Sequence, residues 1–187
     1  MMEMLEFENK ISGTLEDDKE RAYAYLNFGE GLANEKMDPT PAAFKALHIF
    51  QEIKDYNGIA QTTILIANQL YDNWQNEHAL NYLTIAKENL EKIDNEKLSS
   101  FVFNKLGFIY FNLKKYDKAI ENYLACCELL EKLGDLNEIP KIYVAMGLIY
   151  QDLGENEKAN EMFGKAAEIS MDAGNDAEAQ KYMSFIM

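Results

Sequence analysis

Few residues in this sequence are of types that do chemistry, and their spacing argues against it. The two histidines, His48 and His78, stand 30 residues apart, with no cysteine or carboxylate near either at a zinc-like spacing. Cys126 and Cys127 are the only thiols. Adjacent residues are poorly placed for a mutual disulfide, so there is no disulfide framework and a reducing cytoplasm is the expected compartment. A reactive thiol needs exposure and a nearby cation. Cys126 falls instead on a small-residue position of a helical pattern, which predicts burial. No Gly-rich phosphate loop and no G-x-S-x-G occurs. Carboxylate pairs such as Asp17-Asp18 follow from the acidic composition. The nine methionines read as filling for helix interfaces. The expectation is no metal, no cofactor and no enzyme.

Charge narrows the partners. The net charge is −14 and Arg21 is the sole arginine. Nucleic-acid binding needs clustered Lys and Arg to displace counterions, and an anionic membrane surface needs the same. Neither is expected. The N-terminal MMEMLEFENK is acidic and lacks the basic and apolar regions of a secretory signal. The apolar runs are too short to span a bilayer.

The elements that would position any site are helices. Three prolines and ten glycines punctuate 187 residues, 48% of them hydrophobic, enough for one domain with a sizeable core. Self-similarity is the strongest signal. Ala67, Gly107 and Gly147 stand 40 residues apart. The same step joins Ala79, Ala119 and Ala159; Leu83, Tyr123 and Phe163; and Ala46, Ala86, Cys126 and Ala166. It also joins the turn residues Asp55, Asn95, Asp135 and Asn175. Such a period means a solenoid or array.

Helical periodicity predicts pairs 21–36 with 41–54, 59–73 with 76–92, 97–113 with 116–133, and 138–153 with 156–172, then a helix from Asp176. Gly134, Gly154 and Gly174 should stop helices, and Pro140 suits a first turn. Thr40 is expected to cap a helix with Pro41 at its first position. Gly29 lies two residues off the 40-residue register, which a longer loop around Pro39 and Pro41 would absorb. Residues 1–20 form an N-terminal cap or a repeat cut short, with Met2, Leu5 and Ile11 on one side of a helix ended by Ser12-Gly13. Residues 21–187 form the repeat domain.

This pattern resembles the tetratricopeptide repeat, or TPR, whose signature puts Leu-Gly-x-x-Tyr on a first helix and Ala-x-x-x-Phe on a second. Leu106-Gly107-x-x-Tyr110 and Met146-Gly147-x-x-Tyr150 match the first half, and Ala119 with Tyr123 and Ala159 with Phe163 the second. The pair around Ala67 departs, with Ala for Gly and Leu70 for Tyr. The usual period is about 34 residues; the longer one here is similar to the long-helix TPRs of bacterial signalling proteins, including peptide-sensing regulators of the Rap phosphatase type. The resemblance implies an all-α, right-handed superhelix of about four helical hairpins plus end helices.

It also implies a concave groove lined by the first helix of each pair. The groove positions lie three before and one, four and five after the Gly/Ala site. They are Ile64, Asn68, Tyr71 and Asp72; Asn104, Phe108, Phe111 and Asn112; and Val144, Leu148, Gln151 and Asp152, flanked by Gln61, Phe101 and Lys141. An asparagine can donate to and accept from one peptide unit, and Phe101, Phe108 and Phe111 suit an apolar side chain. Asn104 resembles the groove asparagine of peptide-sensing TPRs. A clamp for a C-terminal carboxylate is disfavoured, because Ile64, Asn104 or Val144 stands where its lysine would, leaving only Lys105 and Lys141.

The function expected is a cytoplasmic scaffold binding a protein or peptide segment in this groove. The alternatives are a sensor or regulatory module of a larger bacterial signalling protein, and a self-assembling scaffold. One step of 40 from Gly147 reaches Met187, so 177–187 align with the first half of a further helix. Its apolar end, Ser184 to Met187, either packs as a cap or continues into more chain, and if exposed it favours a homodimer through the C-terminal helix.

Overall fold

A computed structural model of the chain describes residues 2–12, 15 and 17–186. Ten helices run through these residues, and no strand occurs among them. They are α1 (Met2–Ser12), α2 (Asp18–Asn34), α3 (Thr40–Ile53), α4 (Tyr56–Asp72), α5 (Asn76–Leu90), α6 (Glu96–Asn112), α7 (Tyr116–Leu133), α8 (Ile139–Asp152), α9 (Asn156–Asp172) and α10 (Asp176–Met183). The chain divides into two compact units, Met1–Asn95 and Glu96–Met187. In the first, α2 pairs with α3 and α4 with α5, while α4 also touches α2 and α3. In the second, α6 pairs with α7 and α8 with α9; α7 meets α8, and α10 packs on α9.

The helix starts follow local chemistry. Asp17 accepts the Glu20 N–H at 2.9 Å, which starts α2 ahead of the expected Arg21. Asp55 caps α4 in the same way, accepting the Gly58 N–H at 2.9 Å. The expected Thr40 cap is corrected. Asp38 accepts the Thr40 N–H at 2.9 Å, so the helix begins at Thr40 itself, after a Pro39 that makes no side-chain cap bond.

The stops form periodic series. Trp74, Lys114 and Gly154, one register step apart, have φ of 62°, 55° and 76°. Lys54, Gly134 and Gly174 have φ of 57°, 69° and 75°. The three glycines stop helices as expected. The lysines and Trp74 adopt the same left-handed turn at roughly 1 kcal/mol each, because the next helix must return at that point. The α2–α3 connection spans 35–39, against 73–75, 113–115 and 153–155 in the other hairpins. Those two extra residues do not absorb the offset at Gly29, as the sequence suggested. Gly29 and Ala67 are 38 residues apart rather than 40, because the α3–α4 connection spans only 54–55 against 91–95 and 134–138 and α3 is one residue shorter than α5.

Within the α6–α7 and α8–α9 hairpins a glycine faces an aromatic ring. A Cβ on Gly107 would lie 2.6 Å from Tyr123 Cδ1, and one on Gly147 2.4 Å from Phe163 Cε1. The rings occupy the space a side chain would need. At the same register the second hairpin has Ala67 and Leu83, both buried. The methyl is added on one helix and ring volume removed on the other. Outside this core, Lys118 sits 5.6 Å from the Tyr110 ring and Lys158 5.3 Å from the Tyr150 ring, a clasp repeated one register step apart.

The ends differ in part from expectation. Ile11 is buried, and Met4 and Phe7 pack with it on the α2–α3 core, Phe7 stacking on Phe28 at 4.2 Å. Leu5 is exposed instead, because positions 4, 7 and 11 form the inward stripe of α1. Gly13 and the side chains of Met2 and Ser12 lie outside the described residues, as does Met187. At the other end α10 buries Ala179 and Tyr182, and Phe185 turns back onto Phe163 at 5.4 Å. Met183 and Ile186 stay exposed.

Candidate functional site

In the second unit the first helix of each hairpin, α6 or α8, buries one face and leaves the other to solvent, whereas α4 of the first unit is buried almost all round over 58–67. Helix α6 buries Ser100, Val102, Leu106, Gly107 and Ile109. The opposite stripe carries Phe101 and Phe108, 40% and 43% exposed, the half-buried Asn104 and the exposed Asn112. Their spacing of three, four and four residues keeps them on one face. On α8 the stripe recurs as exposed Lys141, half-buried Val144 and Gln151, and Leu148, 41% exposed.

Not every expected groove residue points the same way. Phe111 packs against the core cluster containing Tyr123 and Met146, and its ring lies 6.2 Å from Tyr116. Val144 packs against Ala166, Ala167 and Tyr182. Asp152 accepts the Tyr116 hydroxyl at 2.7 Å, which raises the Tyr116 pKa. Lys141 donates to Glu138 at 2.8 Å, and that bond holds its pKa up. The Lys105 ammonium lies 5.5 Å from the Phe101 ring. The exposed apolar residues of this face are Phe101, Phe108 and Leu148, with the half-buried Asn104 between the first two.

In the first unit the corresponding faces belong to α2 and α4. Gly29 allows their approach, since a Cβ there would stand 3.1 Å from Leu65 Cδ2. Beside this contact lies a cleft of about 740 Å³. From α4 it is lined by Gln61, Ile64, Asn68, Gln69 and Asp72, a helical stripe that includes four expected groove residues. From α2 and its following loop it is lined by Glu30, Ala33, Asn34 and Lys36. Tyr71 does not line it and is half-buried beside it in sequence. Glu30, Ala33 and Asn34 were missing from the expected groove. The signal for them was available: the offsets of one, four and five, counted from Gly29, land on all three.

Neither thiol is poised for chemistry. Burial pushes Cys126 up to about 11 and Cys127 up to about 12. The Cys126 thiol donates to the Ser100 carbonyl at 3.1 Å. His48 is exposed beside Glu52, and His78 is exposed in the first turn of α5. No group of three or more His, Cys, Asp or Glu able to hold a metal occurs among the described residues. No helix there is long and apolar enough to cross a membrane.

An all-α array of hairpins, two of them closed by a glycine under an aromatic ring, defines the class. The tetratricopeptide repeat family model matches residues 99–172. A TPR repeat-containing protein of Methanocaldococcus jannaschii is 40% identical over 67 residues, covering 36% of this chain and 19% of that protein. The apo form of RapI aligns over 94% of this chain and 64% of its own, with a TM-score of 0.82 and 22% identity. A signal transduction ATPase from Pyrococcus horikoshii with a tetratricopeptide repeat sensor aligns over 94% of this chain and 28% of its own, with a TM-score of 0.77 and 19% identity. The chain spans about a fifth of the curated relative and under a third of that ATPase. These structural likenesses establish the TPR fold.

Proposed function

We propose that the chain is a non-enzymatic binding module that grips an extended peptide or protein segment along the first-helix faces. One observation carries this reading. Phe108 and Leu148, one register step apart, and Phe101 on the same stripe of α6 stay about two-fifths exposed, on helices whose other large apolar residues are mostly buried. Asn104 beside them offers both a donor and an acceptor to a peptide unit. A cytoplasmic setting accords with two buried free thiols. The test is panning a random peptide library on the full chain, followed by affinity measurements on Asn104→Ala and Phe108→Ala with the fold checked by circular dichroism. Loss of at least about tenfold, as for an interface anchor, supports the reading; unchanged affinity in both variants refutes it.

A second reading makes this the sensor portion of a larger signalling protein. It is favoured by the alignment of 94% of the chain with 28% of an ATPase described as having a tetratricopeptide repeat sensor. The length of the open reading frame decides it. Dimerisation through α10 would use the exposed Met183 and Ile186, and light scattering across concentration checks it.

A further inference from the structure

The α2–α4 cleft of the first unit differs in chemistry from the apolar stripe of the second. Its floor is apolar, from Ile64 and Leu65. Its walls carry four amides, Asn34, Gln61, Asn68 and Gln69. Two carboxylates, Glu30 and Asp72, stand against one ammonium, Lys36. A cleft of about 740 Å³ is in the size range of built ligand sites.

The backbone adds to the charge. Ala33 and Asn34 lie in the last turn of α2, and Gln69 and Asp72 in the last turn of α4. Both helices therefore bring their C-terminal ends to the cleft. The last carbonyls of a helix carry partial negative charge and favour cations within about one turn. No basic side chain occupies the last turn of either helix to neutralise that field. Side-chain and backbone electrostatics have the same sign, and the amides supply paired donors and acceptors for peptide units.

We infer that this cleft takes a lysine or arginine side chain of a bound peptide, with Glu30 and Asp72 selecting the cation and the amides holding the flanking backbone. This rests on the peptide-binding reading above and names the partner's chemistry at one subsite. The aliphatic stem of the basic side chain would lie on Ile64 and Leu65 while its charged head meets the carboxylates. Lys36 opposes the same cation, so it sets an effect of opposite sign.

The experiment uses the full chain and a phage library of random nonapeptides. Selected peptides are resynthesised with each lysine replaced by norleucine and each arginine by citrulline, which remove charge and keep length. The expected result is a recurrent basic position whose neutralisation weakens binding about tenfold, the scale of one charge-assisted hydrogen bond. Glu30→Gln/Asp72→Asn should lose a similar factor and become indifferent to the replacement. Lys36 has a φ of 60°, which asparagine tolerates, so Lys36→Asn should keep the turn and tighten binding several-fold. A double variant on α7, Glu121→Gln/Glu128→Gln, removes equal charge from exposed sites and should leave affinity unchanged.

Selected peptides with no basic position overturn the proposal. So does a cleft variant that binds as wild type, or an α7 variant that loses as much as the cleft variant. If peptides are selected whose binding depends on Asn104 and Phe108 but not on Glu30 and Asp72, the module binds peptides and the basic subsite falls. If the wild type selects no peptide, both readings fall.

Discussion

Gly107→Ala places a methyl where the Tyr123 ring already lies. The Cβ would stand 2.6 Å from Cδ1, 2.7 Å from Cε1 and 3.0 Å from Cγ, whereas ordinary contact begins near 3.4 Å. The ring must retreat by about 0.8 Å, and Tyr123 is fully enclosed by its cluster. Overpacking of this kind costs about 1–3 kcal/mol. Ala gains roughly 1 kcal/mol over Gly in a helix interior, so the net loss should be about 0–2 kcal/mol. Tyr123→Leu alone leaves a hole and should cost about 2–3 kcal/mol. The double variant recreates the Ala67/Leu83 combination of the second hairpin. Its loss should fall short of the sum of the two single losses by at least about 1 kcal/mol, the coupling expected of touching residues. Urea unfolding of the four proteins, followed by far-ultraviolet circular dichroism, measures the cycle. Strict additivity in this cycle would refute the claim that this pair closes the hairpin by size.

Three further outcomes follow from individual groups. Cys126 and Cys127 should resist a thiol-modifying disulfide reagent at pH 8 in the native state and react promptly in denaturant, because burial raises both pKa values; rapid native labelling would count against their burial. Ser170 is buried with its Oγ unpartnered, at the register where Leu90 and Leu130 stand, so Ser170→Ala should raise stability by about 1 kcal/mol in urea unfolding. Burial pushes Asp55 up, but the Gly58 N–H, Lys19 at 3.2 Å and the Tyr23 hydroxyl together hold its pKa below the ordinary value. A depressed carboxylate gives stability that is present above the unfolded pKa of about 3.9 and lost as pH falls through the folded value. Unfolding between pH 7 and 2.5 should therefore show a smaller acid loss in Asp55→Asn than in wild type.

Much of the repeat was legible because its physics is local. The hairpin limits could be read from helical periodicity, and the turn glycines from the need for positive φ. The hidden parts involved relations between segments. Thr40 had the composition of a cap, yet Asp38 reached its backbone first. Leu5 and Ile11 suggested one stripe of α1, but packing on α2 selected Met4, Phe7 and Ile11. Lys54 and Trp74 carry no sequence mark of a left-handed turn; the helix that follows imposes it. Phe111 and Val144 satisfied the groove offsets but were drawn towards the core by Tyr116 and Tyr182 respectively.

The sequence by itself determined that this chain is a hairpin array with a 40-residue step, since small and large residues recurring at helical spacing leave few other ways to bury them. Only the tertiary structure decided what the helix faces hold. It gathered Glu30, Asn34, Asn68 and Asp72, from two helices over 20 residues apart in the chain, into one cleft. A cleft belongs to the space between helices, and the approach of α2 to α4 over Gly29 and Leu65 is what sets that space.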